Sequence, residues 1–77
     1  MEIKVKTITG SSFQFSVEPD TTIGDLKLSM LSKTGIHTNQ QRYVYRGRLL
    51  PDDQLVVALP EATAGMTISM ILSLRGG

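Results

Sequence analysis

The chain has 77 residues, of which eight are Lys or Arg and seven are Asp or Glu, so its formal net charge at pH 7 is +1. A chain of this length forms one domain and hides only about 60% of its unfolded surface, so its stability depends on one compact core. Such balanced charge argues against nucleic-acid binding, because nucleic-acid-binding proteins commonly neutralise roughly 6 to 10 phosphates.

The composition also argues against several kinds of chemistry. Cysteine is absent, which excludes disulfides, thiolate metal sites and a cysteine nucleophile. The single histidine, His37, has no second imidazole to share a metal, and neither a Ser, His and Asp constellation nor a phosphate-binding glycine loop is present. No run approaches the roughly 20 apolar residues that span a bilayer, and the N-terminus does not resemble a secretion signal. We therefore expect a soluble, non-exported monomer with no metal, cofactor or membrane partner and no enzymatic activity.

The first two elements are predicted to be strands. Residues 1–7 alternate apolar and charged side chains, and residues 12–18 repeat the alternation, which is typical of strands with one buried face. Gly10 lies between them as a turn residue, so the two segments should form an antiparallel hairpin. Pro19 and Asp20 end the second strand.

One helix is predicted to follow, from about Ile23 to Thr34. Thr22 is a suitable N-cap, and Asp25 three residues later completes an acidic capping box. Gly35 follows the last turn as a left-handed C-terminal cap. The apolar face of this helix has helical spacing and consists of Ile23, Leu26, Met30 and Leu31.

The second half of the chain reads as shorter strands. Residues 42–45 should form a third strand, residues 46 and 47 a turn, and residues 48–50 a brief fourth strand. Residues 53–65 have no clear period: the run "LVVAL" fits either a short helical turn or a buried loop, and Pro60 interrupts any long element.

The last segment, "MTISMILSL" after Gly65, alternates again and predicts a final strand. A hairpin, one helix and further strands indicate an α+β fold in which a mixed sheet of four to five strands wraps one helix, with the first and last strands parallel at its centre. The predicted core is Ile3, Val5, Phe13, Phe15, Val17, Ile23, Leu26, Met30, Tyr43, Leu50, Ile68 and Met70.

Three apolar residues do not belong to this core. Ile8 lies at the hairpin tip, and Val44 and Ile71 project from the outer face of their strands. Each alone needs no explanation, because single exposed apolar residues are common. If the last strand pairs with the third, however, the residues form a patch suited to weak, reversible partners, and Arg42 and Arg48 beside it favour partners with acidic rims.

Several short motifs resemble one known family. They are "VKT.TG" at residues 5–10, "VEP" at 17–19, "TI...K" at 22–27, "GI" at 35–36, "QQR" at 40–42, Gly47, Leu50, Asp52 and "L.LRGG" at 72–77. With these pieces at these spacings, the chain resembles ubiquitin over nearly its whole length. The resemblance implies the β-grasp fold, with a domain at residues 1–72 and a flexible tail at residues 73–77.

The resemblance also implies a function for the tail. Ubiquitin-like modifiers are activated with ATP at the last carboxylate, here that of Gly77, passed through enzyme thioesters and joined to substrate lysines. Gly76 and Gly77 have no side chain, so they can pass the narrow channels of activating, conjugating and deconjugating enzymes. Arg75 would supply a cation before the channel, and Leu72 and Leu74 apolar contacts. Ubiquitin-binding domains are further partners, and the cytoplasm and nucleus are the expected locations.

Other positions depart from the family pattern. Ubiquitin has an arginine where this chain has Ser73, a position by which activating enzymes distinguish family members. The histidine of the family's apolar patch is replaced by Ser69. Lysines used for building chains are replaced by Ser11, Ser29 and Arg48, which leaves Lys6 and Lys33 as the expected acceptors.

Two further residues match family positions that form an internal salt bridge, Lys27 and Asp52, so Lys27 is expected to be structural. An alternative function stays open. The chain could be a non-conjugated ubiquitin-like interaction domain of a larger protein, which docks proteasomal or ubiquitin-binding partners through its apolar patch. The simplest interpretation of the terminal glycine pair is a frayed chain end, because such ends are common.

Overall fold

A computed structural model describes residues 1–73. Its elements are β1 (Glu2–Thr7), β2 (Ser12–Ser16), α1 (Ile23–Thr34), a 3₁₀ turn (Thr38–Gln40), β3 (Gln41–Tyr45), β4 (Arg48–Leu49), a second 3₁₀ turn (Val56–Ala58) and β5 (Thr67–Leu72). Leu74, Arg75, Gly76 and Gly77, to which the sequence assigns enzyme recognition and conjugation, lie outside the described residues. Within residues 1–73, no helix has both the length and the apolar character needed to cross a membrane.

The strands form one sheet in the order β2, β1, β5, β3, β4. β1 and β5 pair in parallel, and the other neighbours pair antiparallel. The predicted parallel pair of the first and last strands is confirmed, and so is the predicted mixed sheet with a single α-helix. This is the β-grasp arrangement. It places β5, which leads into the tail, between β1 and β3.

The bounds of α1 follow from its caps. The Thr22 hydroxyl accepts the Asp25 N–H at 3.2 Å, and the Asp25 carboxylate accepts the Thr22 N–H at 2.9 Å, which completes the predicted capping box. At the other end Gly35 has φ +79°, and its N–H donates to the carbonyl of Leu31 at 2.8 Å. A left-handed residue here ends the helix at low cost because it is glycine.

The core lies between the sheet and α1 and contains every predicted residue except Phe13, which is partly buried and packs against it. Sequence reasoning missed three members, Val56, Leu59 and Met66. The "LVVAL" run contains a short 3₁₀ turn whose first residue, Val56, is fully buried. The helical interpretation of that run was therefore correct, but one turn is too short to show a period.

A buried polar cluster joins β3 to α1 and to the segment that follows the helix. The Gln41 side-chain amide donates to the carbonyls of Lys27 and Ile36, both at 3.0 Å. The Tyr43 hydroxyl donates to the side-chain amide oxygen of Gln41 at 2.8 Å. Gln41 and Tyr43 are both fully buried, and burial raises the pKa of the Tyr43 hydroxyl well above its ordinary value. The cluster fixes β3 against α1.

Candidate functional site

The pairing of β3 with β5 brings four predicted patch residues to one face of the sheet. Arg42 lies opposite Ile71, and Val44 lies opposite Ser69. Residues directly opposite each other, and residues two apart on a strand, project to the same face. This is the outer face, because the intervening residue Tyr43 is fully buried.

Leu49 extends this patch and was missed by sequence reasoning. It lies opposite Val44 across β3 and β4, and it is 63% exposed. A signal was available, because adjacent residues of a strand face opposite sides and Leu50 was already assigned to the core. We call Val44, Leu49, Ser69 and Ile71 the outer patch.

The charges around the outer patch are mainly positive. Lys6 lies opposite Ser69 in the parallel pair, and Arg42 lies opposite Ile71. Lys4 also lies on this face, so the strand residues of the face include three cations. Their one carboxylate is that of Glu2, at the far end of β1. The electrostatic potential beside the outer patch is therefore positive.

Ile8 contributes to a separate apolar cleft where the tail begins. The cleft has a volume of about 200 Å³, and its lining includes Ile8, Phe13, Ile36 and Leu72. Ile8 is 72% exposed and Leu72 is 47% exposed, so both leave apolar surface open beside the cleft. The N–H of Ser73 donates to the carbonyl of Gln40 at 2.7 Å, which ties the chain to the domain at this point.

Arg48 projects away from the outer patch. It lies opposite Tyr45, one position from the pair of Val44 and Leu49, so its side chain belongs to the other face of the two-strand ribbon. There it lines a groove beside β4 together with Tyr45 and Arg46. The structure thus separates Arg48 from Arg42, which the sequence had placed in one rim.

The fold, the outer patch and the sequence around them can be compared with known proteins. A model of the ubiquitin family matches residues 3–75. The chain belongs to the ubiquitin family. It is 34% identical to ubiquitin-like protein 1 of Schizosaccharomyces pombe and 39% identical to the NEDD8-like protein RUB3 of Arabidopsis thaliana, in each case over 100% of this chain and 97% of the relative.

A different kind of relative matches only part of the chain. The large proline-rich protein bag6-A of Xenopus laevis is 37% identical over 54 residues, which cover 70% of this chain and 5% of that protein. This chain of the ubiquitin family therefore matches small proteins of similar length and also a segment of a much larger protein.

The lysines of this ubiquitin-family chain differ in how available their amines are. The Lys27 ammonium lies 2.5 Å from a carboxylate oxygen of Asp52, and its side chain is only 10% exposed. Lys6 and Lys33 are exposed, although the Lys33 ammonium lies 5.5 Å from the centroid of the Phe15 ring. Burial and a bound carboxylate make Lys27 a poor nucleophile, and Lys6 is the least constrained of the three.

Proposed function

We propose that this protein is a ubiquitin-like modifier whose Gly77 carboxylate is activated and joined to lysines of target proteins in the cytoplasm and nucleus. The observation that carries the proposal is the sequence Leu74-Arg75-Gly76-Gly77, which follows β5 after the single residue Ser73, in a chain similar over its whole length to ubiquitin-like and NEDD8-like proteins. Side-chain-free residues suit a narrow enzyme channel, because a larger side chain would clash with its walls.

The proposed chemistry takes place in partner enzymes. The Gly77 carboxylate attacks the α-phosphorus of ATP and releases pyrophosphate, which gives an acyl adenylate. A cysteine thiolate of the activating enzyme displaces AMP and forms a thioester, and conjugating enzymes accept the chain by thioester exchange. A target lysine amine then attacks the thioester carbon and releases the thiol. This chain contains no cysteine, so it supplies the carboxylate and a docking surface.

The outer patch supports the second half of the proposal, which is recognition by ubiquitin-binding domains. The outer patch has few apolar residues, so the favourable binding free energy that remains after the entropic costs of association is small. Weak and reversible partners are therefore favoured. Lys6 and Arg42 at its border favour acidic residues on those partners.

Activation can be tested with purified components. The chain, Mg-ATP and candidate activating enzymes, including one that charges NEDD8-like proteins, should give an adduct that survives a non-reducing gel and disappears with thiol. A variant that lacks Gly76 and Gly77 is the matched control and should give none. If no enzyme forms the adduct while its own modifier charges normally, the conjugation proposal is wrong.

The second candidate function is a non-conjugated interaction domain that docks proteasomal or ubiquitin-binding partners. The partial match to bag6-A favours it, because that segment is a small fraction of a larger protein. In this case deletion of Gly76 and Gly77 should leave partner binding unchanged, and cells should contain no covalent adducts of the chain. Adducts that depend on Gly77 would decide against it.

A further inference from the structure

A groove of about 330 Å³ lies beside β4, and Leu49 is the one outer-patch residue in its lining. Its lining includes two buried leucines, Leu50 and Leu59, and one strongly exposed leucine, Leu49. Exposed Ala58 and Pro60 add further apolar surface. We call this surface the β4 groove. It offers an apolar surface to a ligand, in a part of the chain that the proposed conjugation chemistry does not use.

The charge of the β4 groove has one sign. Arg46 and Arg48 are exposed and line it, and none of the described residues that line it is acidic. Arg46 donates to the carboxylate of Glu61, and this hydrogen bond raises the pKa of the guanidinium. Arg48 has no carboxylate partner within residues 1–73. One cation therefore already holds a carboxylate, and the other is available for one.

The walls of the β4 groove are tied together. The Tyr45 hydroxyl on one wall donates to the Pro60 carbonyl on the other at 2.7 Å. The ion pair of Arg46 and Glu61 links the same two segments, and the Arg46 guanidinium lies 5.5 Å from the centroid of the Tyr45 ring. A site with linked walls loses little conformational freedom on binding, so weak contacts suffice for measurable affinity.

We propose that the β4 groove binds an extended acidic peptide segment of a partner protein. An Asp or Glu side chain of the segment would pair with Arg48, and an adjacent aliphatic side chain would pack against Leu49 and Leu59. A nucleic acid is disfavoured, because two arginines cannot neutralise the roughly 6 to 10 phosphates that it commonly requires. The proposal is independent of Gly77, since none of the described residues that line the β4 groove belongs to the tail, and Leu49 is the one residue that the groove shares with the outer patch.

The test uses the full 77-residue chain labelled with ¹⁵N and two synthetic hexapeptides, one alternating Leu and Glu and one alternating Leu and Lys. The acidic peptide should shift the amide signals of Arg48, Ala58 and Leu59 in a saturable manner, and added salt should weaken its binding. The basic peptide should leave these signals unchanged. Equal effects of the two peptides, no saturation, or shifts confined to Ser69 and Ile71 would overturn the proposal.

Variants separate the groove from the outer patch. Arg48→Glu should weaken the acidic peptide by about 10-fold or more, because a hydrogen bond between charged groups is lost and repulsion replaces it. Arg42→Glu is the matched control on the outer face and should change the affinity measured from the Arg48 and Ala58 signals by less than about 2-fold, because Arg42 does not line the groove. Ala58→Glu should weaken binding without touching either arginine. Equal effects at Arg42 and Arg48 in folded variants would contradict the assignment.

Discussion

Arg46 and Glu61 form an ion pair between two loops, and each has a left-handed backbone, with φ of +54° and +56°. They are the two non-glycine residues with positive φ among residues 1–73. Arg46 and Gly47 (φ +79°) form the two-residue turn between β3 and β4, where two positive φ values match the twist of the strands. Glu61 has no such requirement from a hairpin. Its conformation must therefore be imposed by the contacts of the segment around it.

The backbone strain at Glu61 can be separated from its ion pair by two substitutions. Glu61→Ala and Glu61→Gly both remove the carboxylate, but glycine also relieves the left-handed conformation, which costs a side-chain-bearing residue about 1 to 2 kcal/mol. We expect the glycine variant to unfold at higher urea concentration than the alanine variant. If alanine were as stable as glycine, the left-handed conformation would not be strained.

The elements with local signals were predicted correctly. The caps of α1 and the alternation in β1 and β5 lie within a few residues of the structure that they specify, so the sequence reveals them. Residues 53–65 differ, because the burial of Val56 and Leu59 depends on contacts with distant segments rather than on a period. The common face of Val44, Ser69 and Ile71 followed from strand parity, whereas the β4 groove depends on two loops that meet only in the folded chain.

Gly24 shows why a local reading can mislead. Glycine has a low helix propensity, so local preference alone would treat Gly24 as a weakening of the first turn of α1. In the structure its N–H donates to the carbonyl of Asp52 at 2.9 Å, and a Cβ at this position would lie 3.3 Å from that oxygen. The close approach of Asp52 from a distant loop explains the glycine, and no local pattern encodes it.

The buried hydroxyl of Tyr43 predicts an asymmetry between two tyrosines. Tyr43→Phe leaves the buried amide oxygen of Gln41 without its donor, which should cost about 1 to 3 kcal/mol. Tyr45→Phe is the matched control, because it removes an exposed hydrogen bond to Pro60 and should cost about 1 kcal/mol or less. Urea denaturation measures both. Equal losses would show that the buried hydrogen bond of Tyr43 to Gln41 stabilises the protein no more than the exposed hydrogen bond of Tyr45 to Pro60.

The same residue predicts a pH dependence. Burial raises the pKa of Tyr43 in the folded state, so above the ordinary value of about 10 the unfolded chain releases the proton while the folded chain keeps it. The contribution of this group to the free energy of unfolding is therefore fully present below about pH 10 and is lost as the pH rises above that value. Phenylalanine cannot ionise, so the stability difference between wild type and Tyr43→Phe should shrink by about 1 kcal/mol by pH 11. A constant difference would contradict the shift.

The pair of Lys27 and Asp52 should respond unequally to loss of either partner. Asp52→Ala strands an ammonium whose side chain is 10% exposed, which should cost about 1.5 to 3 kcal/mol. Lys27→Met keeps the volume and leaves a carboxylate that is 71% exposed and still hydrated, so its cost should stay below about 1.5 kcal/mol. Lys27→Met combined with Asp52→Ala should match Lys27→Met alone. A double variant as unstable as Asp52→Ala would exclude the stranded charge as the cause.

Ser73 should influence which activating enzyme accepts the chain. Its backbone is tied to Gln40, so its side chain has a fixed starting direction at the base of the tail. Ser73→Arg introduces the cation found in ubiquitin and should raise the rate of thioester formation with a ubiquitin-activating enzyme relative to one that accepts NEDD8-like proteins. Ser69→Arg adds the same charge on the outer face and is the control. An equal ratio of rates in both variants would contradict a selective role.

The outer patch predicts that Leu49 contributes to binding although its strand has two residues. Leu49→Ala and Ile71→Ala should each weaken a helical ubiquitin-binding domain by about 5-fold, because part of a buried aliphatic side chain is lost. Leu28→Ala is the matched control, since Leu28 is 60% exposed against 63% for Leu49 but lies on α1. Calorimetric titration measures the three affinities. If Leu28→Ala weakened binding as much as Leu49→Ala, the partner would use the helix, and the outer patch would not be the docking surface.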